Sequence, residues 1–420
     1  MNLQQSGKEH LITSISLHGN VRNYDTQTNE VFWLRKYLLH FQKLMNKPWI
    51  IINGDTNLLD RLHLNREQLK AIKGKEVSFF FYEPLFPRSN ESARCPAFIH
   101  PHTAPRFPEL EWLQNFLHNH GNTFKAKVHV CDYRLKEYLS HKRQHINLPV
   151  HTWDIFLADT CRSLVEKEID RDPQFAAKDY PFQSKIQKKF ICPNFRYEGF
   201  RELVVGYLAG SNQLDQGHIS FFHQHQRPHF LDDLPFDPKK LNQWQQIFNG
   251  LEKLQQQLPL TMDTHLNKSL LPQEAVLPDF DGVSNQRSDY RFHKWYDESF
   301  LAIVNETRFG TLCGEISEKT LIPILYMRPF VVVGGPFMLK YLHEMGFETF
   351  ADCWDESYDQ IEDHGARMQA ILNLLDDLLS KPLEEMQELL TKLKPRLERN
   401  RRHLLFRLQE QMHETLLKDS

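Results

Sequence analysis

Twice along this chain, short runs of strand-forming apolar residues alternate with helix-period segments that close on glycine, and that alternation restricts the fold more than any other feature. "KPWIIING" (Lys47 to Gly54) reads as a buried strand ending in a glycine turn, and "NLLDRLHLNREQLKAIKG" after it carries leucines at helical spacing up to Gly74. "EVSFFFYEP" predicts a second strand, "LEWLQNFLHNHG" a second helix, and "KAKVHVCDYR" a third strand leading into the helical "LKEYLSH". A chain ordered this way builds a parallel sheet with helices over it, because each crossover must travel back across the sheet before the next strand starts.

The series begins again after "DRDPQFAAKDYPFQSK", a polar stretch without a period that reads as a linker. There "KKFICPN" predicts a strand, "YEGFRELVVGYLAG" a helix and "HISFF" a strand. Residues 223–294, rich in Pro, Asp, Gln and His, read as an insertion with one helix over "KKLNQWQQIFNGLEKLQQQ". Regularity returns with "SFLAIVNET" (strand), "SEKTLIPILY" (helix), "PFVVVGG" (strand), "FMLKYLHEMG" (helix) and "FETF" (short strand). The expected architecture is α/β: two Rossmann-like doubly wound domains, over 1–165 and 186–380, joined by a linker over 166–185 and facing a cleft at the carboxyl ends of their strands. Leucine-rich helices, interrupted at Pro382 and Pro395, fill 381–420.

Composition sets the outer limits. With 420 residues and 40% hydrophobic content the chain can bury two cores. A net charge of −3 gives no whole-protein field that would attract nucleic acid. The six cysteines form no CxxC spacing, which suits a reducing compartment. The first residues lack the basic start and apolar core of a signal peptide, so a cytoplasmic protein is expected. Lys392, Lys394, Arg396, Arg399, Arg401, Arg402 and Arg407 nevertheless make 390–410 basic beside Leu404, Leu405 and Phe406. Such a helix either packs back on the domains or rests on an acidic lipid surface as a peripheral contact.

The stretch "GEISEKTLIPILYMRPFVVVGG" gathers charge at a strand-to-helix junction. Ser317 is placed to cap the helix, leaving backbone N–H groups and the positive dipole end for an anion. Lys319 adds an ammonium suited to phosphate, and Glu318 an acceptor suited to sugar hydroxyls. Pro323 shortens or kinks the helix and so fixes its first turn. The bland alternative is that both charges are solvated residues of an ordinary first turn. "HPH" (His100, His102) and "HQHQRPH" (His223, His225, His229) lack a completing carboxylate or thiol and read as solvated or acceptor-lining, so no metal is expected. No P-loop, HExxH or GxSxG occurs.

These same residues carry a family resemblance. "FLAIVNETRFGTLCGEISEKTLIPILYMRPFVVVGGPFMLKYLHEMGFETF" resembles the donor-nucleotide half of GT-B glycosyltransferases, among them the α-1,3-fucosyltransferases with "AFEN…YVTEK" and exostosin-like transferases with "SEK". It is still more similar to glycosyltransferases of phages and marine microbes, where "TEKTFKPI" precedes "PFVIVGGPG" and "LGFKTF". "FICPNFRYEGFRELVVGYLAGSNQLDQGHISF" is similar to their "FLCLNRRPRPHR…LLDKGLVSF". The two matches cover about a quarter of the chain, mostly in the second domain.

The resemblance implies a GT-B-like fold and transfer of a sugar, with inversion, from a nucleotide diphosphate to a hydroxyl acceptor on a glycan, lipid or protein. No cofactor is implied beyond the GDP- or UDP-sugar co-substrate. Glu318 and Lys319 align with the pair that holds the donor diphosphate, and Arg196 and Arg201 with a segment that contacts donor phosphate. Asn305 and Glu306, in "VNET", stand where fucosyltransferases have "FEN", and Glu315 replaces their Tyr. The general base falls in the first domain, where Glu83 in "YEP" is the leading candidate and Asp132 the second. A nucleotide-sugar epimerase, or a non-catalytic interaction protein on the same scaffold, would satisfy much of this pattern.

Overall fold

The computed structural model describes residues 12–16, 49–53, 73–81, 108–119, 125–130, 148–152, 185–194, 198–221, 234–258, 293–310 and 316–408, with single positions at 70, 182, 231, 260 and 262. The chain divides into two compact units that change over between Arg162 and Ser163.

In the first unit, strands β1 (Ile12–Ser16), β2 (Trp49–Asn53), β3 (Glu76–Phe81), β4 (Lys125–Val130) and β5 (Val150–Thr152) form one sheet in chain order, every described pairing parallel. Helix α1 (Pro108–Asn119) joins β3 to β4. Its Leu110 and Leu113, with Val77, Phe79, Val128 and Val130 of the strands, are fully buried. The strands expected over "WIII", "EVSFFF" and "KAKVHV" are present in parallel pairing. β1 and β5 were not expected, being a polar-interrupted "ITSIS" and a three-residue "VHT".

The second unit is wound in both directions. Its strands β6 (Lys188–Pro193), β7 (Gly217–Ser220), β8 (Ser299–Asn305) and β9 (Phe330–Val333) stand in the order β7-β6-β8-β9, all parallel. Helix α2 (Gly199–Gly210) carries the chain from β6 outward to β7, whereas β8 and β9 build on the opposite side of β6. β8 is buried along its whole length, as a central strand covered on both faces must be. Helix α5 (Glu318–Leu325) links β8 to β9, and α6 (Met338–Glu344) follows β9.

The expected insertion contains α3 (Trp244–Gln255), which packs on α2 through glycine. A Cβ on Gly250 would lie 1.8 Å from the Gly206 carbonyl oxygen, and one on Gly210 would lie 1.9 Å from that of Gln246. Backbone meets backbone here, so only glycine fits. Helix α4 (His293–Glu298) then leads into β8.

Helices α7 (His364–Ser380) and α8 (Leu383–Arg402) close the unit. Two sequence expectations change here. Pro382 does precede a new helix, but Pro395 lies inside α8 without ending it. Leu390, Leu393 and Leu397 are buried around it, and Arg396 grips Asp352 through paired bonds of 2.6 and 2.7 Å, so packing outweighs one lost backbone bond. "FETF" (Phe347–Phe350) is not a strand. The Asn400 side chain of α8 takes both backbone groups of Glu348, accepting from its N at 2.9 Å and donating to its O at 2.8 Å, so no ladder partner is used there.

Part of the basic face of α8 is engaged within the unit, while Lys392, Lys394, Arg399 and Arg402 stay exposed. Arg396 and Arg399 pair with Asp352 and Glu348, and buried Arg401 donates to the Leu325 carbonyl at the end of α5. Leu404 and Leu405 point inward, leaving Phe406 exposed. Among the described residues, no helix is long and apolar enough to cross a membrane.

Candidate functional site

In open parallel sheets, ligands settle beyond the carboxyl ends of the strands at the point where strand order reverses. In the second unit that point lies between β6 and β8, and polar side chains crowd its carboxyl end.

From β6 comes Asn194, 2% exposed. Its Nδ2 donates to the Cys192 carbonyl at 3.1 Å, and its Oδ1 accepts from Asn305 Nδ2 at 2.7 Å. Asn305, the last residue of β8, is also 2% exposed, and its Oδ1 is a buried acceptor without a donor. A lone buried acceptor of this kind calls for an explanation. Cys192 below the pair is inert, its thiol pushed up to about 12 by burial.

Glu306 follows, completely buried, and its carboxylate is saturated by the protein. Oε1 accepts from Ser317 N at 3.2 Å and Thr320 Oγ1 at 2.5 Å. Oε2 accepts from Ser317 Oγ at 2.6 Å and Thr307 N at 3.0 Å. Glu306 therefore bolts the end of β8 to the first turn of α5, with its negative charge at the positive helix end. From α2, buried Arg201 donates through Nη2 to the Glu306 carbonyl at 2.8 Å.

Ser317 caps α5 as the sequence predicts, its Oγ accepting from Lys319 N at 3.3 Å. Lys319 Nζ lies 2.7 Å from Glu318 Oε1, 3.2 Å from Thr307 Oγ1 and 3.3 Å from Ser317 Oγ. The two charged side chains keep 26% and 23% of their surface open, so the pair borders solvent while being held in place.

On the other flank, Gly334 ends β9 close to this cluster. A Cβ there would lie 3.2 Å from Glu306 Cβ and 2.5 Å from Met338 Sδ. Buried Arg367 of α7 draws the loops together, donating to the carbonyls of Gly334 (3.1 Å), Phe309 (2.7 Å) and Ile361 (2.8 Å) while its guanidinium stands 4.6 Å from the centre of the Phe309 ring. His364 beside it, 3.0 Å from Nη2, is held down to about 4, first by burial and then by the guanidinium charge.

The fold thus brings Arg201, Asn305, Glu306, Ser317, Glu318 and Lys319 to one strand-end cluster. Arg196, Glu315, Glu83, Asp132 and the histidines at 100, 102, 223, 225 and 229 lie outside the described residues. Among the described residues, no group of three or more His, Cys, Asp or Glu is placed to hold a metal ion. Sequence reading missed Asn194, Thr307, Thr320 and Arg367. For Asn194 the signal was present, a polar residue directly after an apolar strand.

No protein-family model matches the chain, and no curated protein matches it. Among solved structures it is similar to a glycosyltransferase from Rickettsia africae, with 12% identity over 99% of this chain and 100% of that one and a TM-score of 0.34. An α,α-trehalose-phosphate synthase (UDP-forming) from Burkholderia vietnamiensis gives 13% identity, 93% and 75% coverage and a TM-score of 0.37. A chain of the GtfA/B complex gives 10% identity and a TM-score of 0.35; this chain spans only 60% of its length. Likeness at this level assigns neither a family nor an activity.

Proposed function

We propose that the chain is a glycosyltransferase that moves a sugar from a nucleotide diphosphate to a hydroxyl acceptor with inversion, its donor held at the switch point of the second sheet. The observation that carries this reading is the coincidence of three things at one strand end: a reversal of strand order, a capped helix start bearing a half-buried ammonium, and the unsatisfied acceptor of Asn305.

Each group has a place in the chemistry. Lys319 faces the diphosphate and offsets the charge that grows on it as the bond to the anomeric carbon breaks. Glu318 and Asn305 accept hydrogens from sugar hydroxyls. Glu306, with no free lone pair to offer, positions the first turn of α5. The acceptor oxygen forms the new bond, its proton passes to a carboxylate, and the nucleoside diphosphate leaves with the electron pair. Glu83, after the strand "VSFFF", is the candidate for that base, with Asp132 in "VCDYR" the second. GDP- and UDP-sugars are the donors of this reading.

Donor saturation on Lys319→Ala and Glu318→Ala tests it. Loss of one charged contact to phosphate should weaken nucleotide-sugar binding by roughly 1.5–3 kcal/mol in Lys319→Ala, about tenfold or more. Unchanged affinity in both variants would remove the donor site. Incubation with nucleotide sugar alone separates transfer from epimerisation, since an epimerase changes the sugar without an acceptor.

A further inference from the structure

Three non-glycine residues of the described chain have a positive φ: Asn212 (55°), Met327 (53°) and Phe337 (64°). Asn212 and Met327 each come just after a helix, α2 and α5, where a left-handed residue is a common way to stop. Phe337 has no such reason. It stands at the start of α6, a position that ordinarily takes extended backbone, with ψ of 18°. For a bulky aromatic residue this conformation is a true outlier, and glycine would adopt it without cost.

The surrounding structure holds the strain in place. Phe337 N donates to the Asp359 carbonyl at 2.6 Å. The Asp359 carboxylate, 5% exposed at the residue level, accepts from Leu339 N at 2.9 Å and Lys340 N at 3.1 Å. The first turn of α6 is therefore already occupied by an internal anion and is not itself a ligand site. What the clamp achieves is the placement of one ring. Phe337 is half-buried beyond the carboxyl end of β9, the strand beside β8, with the Lys340 ammonium 5.9 Å from its ring centre. Strain that the surroundings enforce, at the ligand-bearing end of a sheet, points to a side chain kept for contact.

We propose that Phe337 is a stacking platform for the nucleobase of the donor, and that Asp359 is the positioning residue that holds it there. This rests on the donor reading above: the diphosphate lies against Lys319 at the end of β8, and the base lies over the Phe337 ring at the end of β9. Every base presents a flat π-face, so the contact strengthens binding while discriminating weakly between bases.

The strain makes the test unusually direct, because loss of the ring and relief of the backbone act on different readouts. Phe337→Gly should show a Tm at or above that of the parent while binding UDP, GDP and dTDP roughly tenfold more weakly by calorimetry. Phe337→Leu keeps apolar bulk but removes the flat ring, and should lose affinity likewise. Phe337→Trp should retain it. Inorganic pyrophosphate, which has no base, should compete equally well against all four proteins, whereas Lys319→Ala should weaken pyrophosphate and nucleotide together.

If the parent binds none of the three nucleotides, the donor reading falls and this inference with it. If the parent binds but Phe337→Gly and Phe337→Leu bind equally well, only the platform is overturned. A Phe337→Gly protein that melts lower and binds normally would make the ring a packing element instead.

Discussion

His364 shows how one buried side chain links the candidate site to acidity. Its pKa in the folded chain is held down to about 4 by burial and by the neighbouring Arg367 guanidinium. In the unfolded chain it returns to about 6.5, so between these values the unfolded state takes up more protons. Stability contributed by neutral His364 is therefore full above pH 6.5 and is lost as pH falls toward 4, by on the order of 3 kcal/mol. Urea titrations at pH 7 and pH 5 should show a smaller loss in His364→Asn than in the parent. Equal losses would mean that other groups carry the acid response. Loosening here should be felt at the site, since Arg367 ties the carbonyls of Gly334 and Phe309.

At the level of elements, the α2–α3 contact has the clearest consequence. Helix propensity alone would make Gly250→Ala stabilising by about 1 kcal/mol. The close approach reverses that sign, because the new methyl would meet the Gly206 carbonyl and the Gly210 nitrogen, neither of which can rotate away. Overpacking of this kind costs about 1–3 kcal/mol or more, so chemical denaturation should place Gly250→Ala below the parent. A stabilised variant would show that the helices can part without cost. Elements of this unit were legible in the sequence wherever apolar period and a stop residue agreed, as in β8, α5 and β9. Reading failed where side chains from far along the chain decided the outcome. Asn400 kept "FETF" out of a sheet, and the buried leucines around Pro395 carried α8 through a residue that reads as a break.

Across the whole molecule, the two sheets differ in a way that composition could not reveal. The described strands of the first run in chain order, whereas the second reverses between β6 and β8. Alternation predicts parallel sheets but is silent on strand order, because order depends on which side each crossover takes. The candidate site was legible for the same reason that it is local: Ser317, Glu318 and Lys319 share one helical turn. Asn194 and Asn305, 111 positions apart, meet only once the strands pair. Phe337 was not legible, since its left-handed backbone is fixed by the Asp359 carbonyl from a distant part of the chain. If the donor binds at the switch point, hydrogen exchange with saturating UDP, GDP or dTDP should slow amides around 305–307, 317–320 and 334–340 and leave those of β3 and β4 unchanged. Protection confined to β3 and β4 would move the nucleotide to the first unit.

Finally, the amide of Val332 on β9, the last described strand of the second sheet, donates to the Tyr358 hydroxyl at 3.2 Å. Both groups are buried, so the phenol answers a backbone donor that water cannot reach. Phenylalanine at 358 would keep the shape yet leave that amide stranded in a dry interior, and a thermal melt should place the variant below its parent by about 1–3 kcal/mol.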